Sequence, residues 1–201
     1  MKSGLSNFEM LPIERSRDLS PLAKLAKQMP DLCRDVKQLD RPISLTQENR
    51  RELLPELSET TRERLKEKEY TDDVIDAIGS EPEAKIYEDA NLKCKDINGK
   101  NVLIRTDIDY DQKDLLGQTN LQRMEDGRPP LDANQKPIEL HHIGQKPDSP
   151  LAELTGNEHR ANGNDNILHN KIDKSQIIRE DFGLERAHHW KARANQIKNT
   201  P

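Results

Sequence analysis

Aromatic side chains are nearly absent from this 201-residue chain: one Trp, three Tyr and two Phe, with hydrophobic residues at 32% and charged residues at 34%. Burial of apolar surface is what offsets the lost chain entropy, so this composition supports one modest core and not two. Long apolar runs are missing as well. No stretch approaches the ~18 consecutive apolar residues of a membrane span, and the start lacks the basic, apolar and small-residue order of a secretory leader. The expectation is a soluble chain with no membrane partner and no classical signal peptide. Cysteine is scarce too: Cys33 and Cys94 stand far apart and build neither a disulfide framework nor a paired-cysteine zinc site.

Charge of one sign is in only slight excess, at a net −5, but it is unevenly placed. Residues 1 to 92 hold 15 basic and 20 acidic side chains, whereas 93 to 201 hold 17 of each and all six histidines. The chemistry therefore sits in the second half. An acidic whole argues against coating nucleic acid through bulk charge and leaves room for engaging a few phosphates locally.

Residues 1 to about 45 are polar and broken by Pro12, Pro21, Pro30 and Pro42, with one short helix expected from Ser20 as N-cap and Pro21 in the first turn. They read as a leader or connector, partly disordered. Leu45 to Ala90 reads as short helices interrupted near Pro55, Thr71 and Gly79, and Ser80-Glu81-Pro82-Glu83 matches a capping box. At Leu92 the texture changes. Alternating residues, then Asn98-Gly99, then Val102-Leu103-Ile104 predict a β-hairpin at about 91 to 106. A short helix is expected from Asn120 to Glu125, a strand at 137–142, its partner at 151–154, and helical texture beyond Thr155 broken at Asn162-Gly163-Asn164-Asp165. The last element is a helix from about Leu184 to Ile197, with Trp190 on the core between polar neighbours.

The histidines are the chemical signal. His141-His142 is followed after 16 residues by His159 and after 9 more by His169. A pair on a strand, a strand return and a histidine opening a helix give the order of a strand–strand–helix metal site. In one continuous helix, His159 and His169 would lie roughly 15 Å apart along the axis and could not share an ion. The turn residues at 162–165 supply the bend that joint ligation requires. Successive strand residues face opposite ways, so His141 and His142 need two jobs: one holding metal, the other, kept neutral, taking a proton from water. Asp107, Asp109 and Asp111 lack the glycine and terminal glutamate of a calcium loop and read as solvated acids.

Gly117-x-Thr119-Asn120, Met124, Gly127, Pro130, the run Pro137-Ile138-Glu139-Leu140-His141-His142-Ile143-Gly144-Gln145, then Leu151-Ala152-Glu153-Leu154-Thr155 and Glu158-His159, resemble the LHH family of the HNH (His-Me finger, ββα-metal) nucleases. The resemblance spans roughly 70 to 197 and is most specific at 117 to 169. It implies an α+β fold: a ββα-metal core with added N-terminal helices, a β-hairpin and a C-terminal helix. It places a connector at 1–69 and the nuclease domain at 70–201. It implies one divalent metal ion (Zn, Mg, Mn or Ni), held by His141, His159 and His169, with the His141–His142 pair catalytic and His142 the general base. The middle asparagine of the HNH pattern has no clear counterpart, and Ser149 stands nearest its place. Arg123, Lys146 and Arg160 are candidate phosphate contacts.

The activity implied is phosphodiester hydrolysis, with DNA favoured as substrate. The family occurs chiefly in bacterial secreted toxins, which implies a delivered antibacterial effector acting in the cytoplasm of a target cell. Its implied partners are a cognate immunity protein and a secretion machinery or larger toxin scaffold. A ribonuclease using the same site and a non-catalytic, metal-stabilised binding module are the rival readings.

Overall fold

The computed structural model describes residues 54–169 and 176–199; the helix expected at Ser20, Cys33 and most of the 1–69 connector lie outside them. The described residues all belong to a single compact unit.

Three short helices come first: α1 (Glu59–Glu67), α2 (Asp72–Ala77) and α3 (Glu81–Asp89). Leu65 of α1 is fully buried in one cluster with Tyr70, Val74, Ile75 and Tyr87, so the packing continues to the N-terminal side of residue 70. The capping box at Ser80 forms by half. Ser80 Oγ accepts the Glu83 N–H, but the Glu83 carboxylate accepts from Gly79 N–H at 2.8 Å and from the Tyr87 hydroxyl at 3.0 Å. The Tyr87 hydroxyl sits on a fully buried side chain and needs an acceptor, which draws the carboxylate away from the cap.

The hairpin is β1 (Lys93–Ile97) and β2 (Lys100–Ile104), closed by Asn98 and Gly99, both at positive φ as the tight primed turn requires. After α4 (Asn120–Glu125), capped reciprocally by Thr119 and Gln122, come β3 (Glu139–His142) and β4 (Leu151–Leu154). The sheet order is β1-β2-β4-β3, with β2 and β4 parallel and the other pairs antiparallel. Every residue of β4 is buried, as befits a strand covered on both faces.

Two-residue periodicity then sorts the side chains. Leu103, Ala152 and Leu154 join the cluster of α1 to α3, whereas Val102, Ile104, Leu140 and Leu151 pack with Phe182 and Ala192 of the last helix, α7 (Arg179–Asn199). Helix α7 begins five residues before the expected Leu184, because its polar first turn carries no apolar period while Phe182 still docks on the sheet. Trp190 is buried against Met124, Ile138 and Ala194, as expected. His189, expected beside it as a polar flank, is instead buried with its Nε2 2.9 Å from Glu153 Oε1. Among the described residues, no helix is long and apolar enough to cross a membrane.

Candidate metal and catalytic site

Strand β3 ends in two histidines whose rings leave on opposite faces. His141 pairs in register with Ala152 and His142 with Leu151, so His141 turns to the α1–α3 face and His142 to the α7 face. After β4, Thr155 and Glu158 form a capping box that starts α5 (Gly156–Arg160), which carries His159. The helix then stops. Asn162 and Gly163 both take positive φ, and α6 (Asn164–Leu168) restarts in a new direction, anchored by buried Leu168 and followed at once by His169. The bend foreseen at 162–165 is what returns His169 to His159.

The outcome is close convergence. His159 Nε2 lies 3.2 Å from His141 Nδ1 and 3.2 Å from His169 Nε2, and the three nitrogens all fall within 4.8 Å of one another. Carboxylates decide which nitrogens point inward. Glu139 Oε2 stands 2.6 Å from His159 Nδ1, and Asp165 Oδ1 3.0 Å from His169 Nδ1, so each Nδ1–H is taken and each Nε2 presents a lone pair. Burial pushes both imidazoles below their ordinary pKa. A neighbouring Asp165 opposes this for each, while His159 adds to the lowering at His169.

Neutral rings with lone pairs facing each other at 3.2 Å repel unless a cation lies between them. Tetrahedral ligation at about 2.0–2.1 Å would place nitrogens about 3.3–3.4 Å apart, close to the 3.2 Å that separates His159 Nε2 from each of the other two rings. Three protein nitrogens leave coordination positions open, as a catalytic centre requires.

His142 is 4% exposed and lies beside the Phe182 ring at 4.6 Å between centroids. Its Nε2 is 2.8 Å from Glu185 Oε2 on α7, within hydrogen-bond distance but off the N–H axis. Burial pushes this imidazole below its ordinary pKa; the Glu185 carboxylate and the Pro147 carbonyl oppose that, and Lys100 reinforces it. His142 borders a cavity of about 240 Å³ shared with the triad, Arg179 and Phe182. The His142 ring and the histidine triad thus open onto one space.

The other expected site residues fall unevenly. Arg160 is exposed at the rim and pairs with Glu139, and Lys146 is exposed in the loop after His142. Arg123 is not brought to the site: it is largely buried, paired with Asp114 at 2.8 Å and bonded to the Pro129 carbonyl. A guanidinium so desolvated needs those partners and cannot double as a phosphate clamp. Ser149 does not orient His142 either, since its hydroxyl donates to the Lys146 carbonyl and closes that turn. Sequence reasoning missed Glu139, Asp165 and Glu185. Glu139 stands on the same strand face as His141, two residues earlier, and that spacing was the available signal; Glu185 had none.

Two strands and a bent helix pair holding imidazoles around one point define a ββα-metal architecture, a nuclease class. Residues 119–196 match the model of the LHH family, described as a nuclease of the HNH/ENDO VII superfamily with conserved LHH. No solved structure matches the chain.

Proposed function

We propose that the protein is a metal-dependent endonuclease that hydrolyses phosphodiester bonds, with DNA as the favoured substrate, and that it serves as an antibacterial effector. The observation that carries this reading is the meeting of His141 Nδ1, His159 Nε2 and His169 Nε2 beside a buried, neutral His142. A divalent ion on the triad supplies Lewis-acid stabilisation of phosphate and leaving-oxygen charge. His141, His159 and His169 hold it, with Glu139 and Asp165 fixing two of the rings. All-imidazole ligation favours zinc or nickel over magnesium. His142 takes the proton of the attacking water, whose oxygen bonds to phosphorus as the 3′-oxygen departs. Arg160 and Lys146, both exposed, are the proposed contacts to the phosphate backbone and would contribute position rather than base choice.

The effector reading follows the family's occurrence in secreted bacterial toxins. It brings delivery to the cytoplasm of a target cell, a secretion machinery or larger toxin scaffold, and an immunity protein acidic enough to cover the site in place of phosphate.

Purified chain incubated with supercoiled plasmid and with total RNA, under several divalent metals and with chelator, tests the activity. Nicking of plasmid that chelator abolishes is the expected result. Cleavage of RNA alone moves the substrate to RNA, and cleavage of neither polymer leaves a binding module. His142→Ala should abolish cleavage with metal content unchanged; loss of metal would mean that the histidine pair is assigned backwards. Co-purification with the product of a neighbouring gene tests the immunity partner.

A further inference from the structure

Helix α7 lies outside the strand–strand–helix core, yet it brings a carboxylate to the ring assigned above as the base. We infer that Glu185 is a positioning residue for His142: it accepts the N–H at Nε2, so that the Nδ1 lone pair is the one that takes a proton from water. The inference rests on the nuclease reading of the site.

A neutral imidazole carries one N–H, and the partner of one nitrogen decides the state of the other. Glu185 Oε2 is 2.8 Å from His142 Nε2, and that nitrogen is closed to solvent. The carboxylate is itself held in place. Its Oε1 lies 2.6 Å from Lys100 Nζ, and the same ammonium donates to the Pro147 carbonyl at 3.3 Å. Lys100 thus gathers two acceptors, Glu185 and the Pro147 carbonyl, beside His142, while Phe182 packs on the ring. His142 lines two cavities, one of about 290 Å³ on the Glu185 side and one of about 240 Å³ shared with the triad. Bonds of this kind are commonly misaligned before substrate binds and tighten in the complex. A carboxylate behind an imidazole selects the tautomer and stabilises the imidazolium that forms when the proton arrives.

The test measures kcat, KM and bound metal for the full chain on plasmid, comparing wild type, E185A, E185Q, H142A and the H142A/E185A double variant. In E185A, kcat should fall about 10- to 100-fold while KM and metal content stay near wild type. E185Q, whose amide oxygen still accepts, should recover most of the loss. In the H142A background, E185A should cost nothing further, because Glu185 acts only through that ring. Equal losses in both backgrounds, or an unchanged kcat in E185A with the Pro147 carbonyl sufficient, overturn the inference.

Nitrogen NMR of the histidine-labelled chain, with the His142 signals assigned by their loss in H142A, reads the tautomer without catalysis. The expectation is Nε2–H in wild type and in E185Q, which decides the matter even if E185A folds poorly. An Nδ1–H tautomer in wild type overturns the positioning role in a chain that cleaves. Nε2–H in a chain that cleaves neither polymer upholds the positioning and refutes the nuclease reading instead.

Discussion

Glu153→Ala tests how α7 is fastened to the sheet. The Glu153 side chain is fully buried on β4, where it accepts from His189 Nε2, Arg193 Nε and the Arg105 backbone N–H, each at 2.9 Å. Truncation leaves the Arg193 guanidinium, 3% exposed, with the Arg105 carbonyl at 3.2 Å as its remaining bond. Stranding one partner of a buried ion pair costs about 3–5 kcal/mol. At about 2–4 °C per kcal/mol for a chain of this size, Tm should drop by about 6–20 °C. Urea unfolding followed by circular dichroism gives the free energy, and a melting curve gives the shift. Glu153→Leu combined with Arg193→Met should be milder than Glu153→Ala alone, because it removes both charges and fills the space. A loss below about 1 kcal/mol for Glu153→Ala, the scale of an exposed pair, would refute the claim that this cluster is desolvated and holds the helix.

Acid should act on the same group. Burial alone would raise the Glu153 carboxyl, but the His189 ring, the Arg193 guanidinium and the Arg105 N–H reverse that and hold it below its ordinary value. A folded pKa below the unfolded one means stabilisation that is complete above about pH 4–5 and lost as pH falls through the folded value; Glu153→Gln should flatten that limb of the stability profile. Glu139→Ala should weaken metal affinity about 10- to 100-fold by freeing the His159 ring, as read by zinc titration, and undiminished affinity would show that the carboxylate does not orient the ligand. Gly144→Ala should destabilise by at least about 1–3 kcal/mol in urea unfolding, since φ is +73° there and a Cβ would stand 2.8 Å from the Ala77 carbonyl; a neutral result would mean that the β3 exit can relax.

The hairpin, β3 and β4, the short helix at Asn120 and the break at Asn162-Gly163 were legible because each is written locally: in alternation, in turn residues at positive φ, or in a cap. The opposite faces of His141 and His142 were legible for the same reason, since two-residue periodicity needs no tertiary knowledge. Arg123 was misjudged because a basic side chain near a motif gives no sign of its ion pair with Asp114, nine residues earlier. His189 was misjudged because its acceptor, Glu153, lies 36 residues away on a strand that the helix meets only when folded.

The order of the histidines and the spacing between them were thus determined by the sequence alone, along with the class of chemistry that such donors perform. Which nitrogens face inward, and which carboxylates hold them, was decided only by the packing of α5, α6 and α7 on the sheet. A covalent neighbour can be read along the chain, but a tautomer is set by a partner in space, and Glu185 reaches His142 from 43 residues further on.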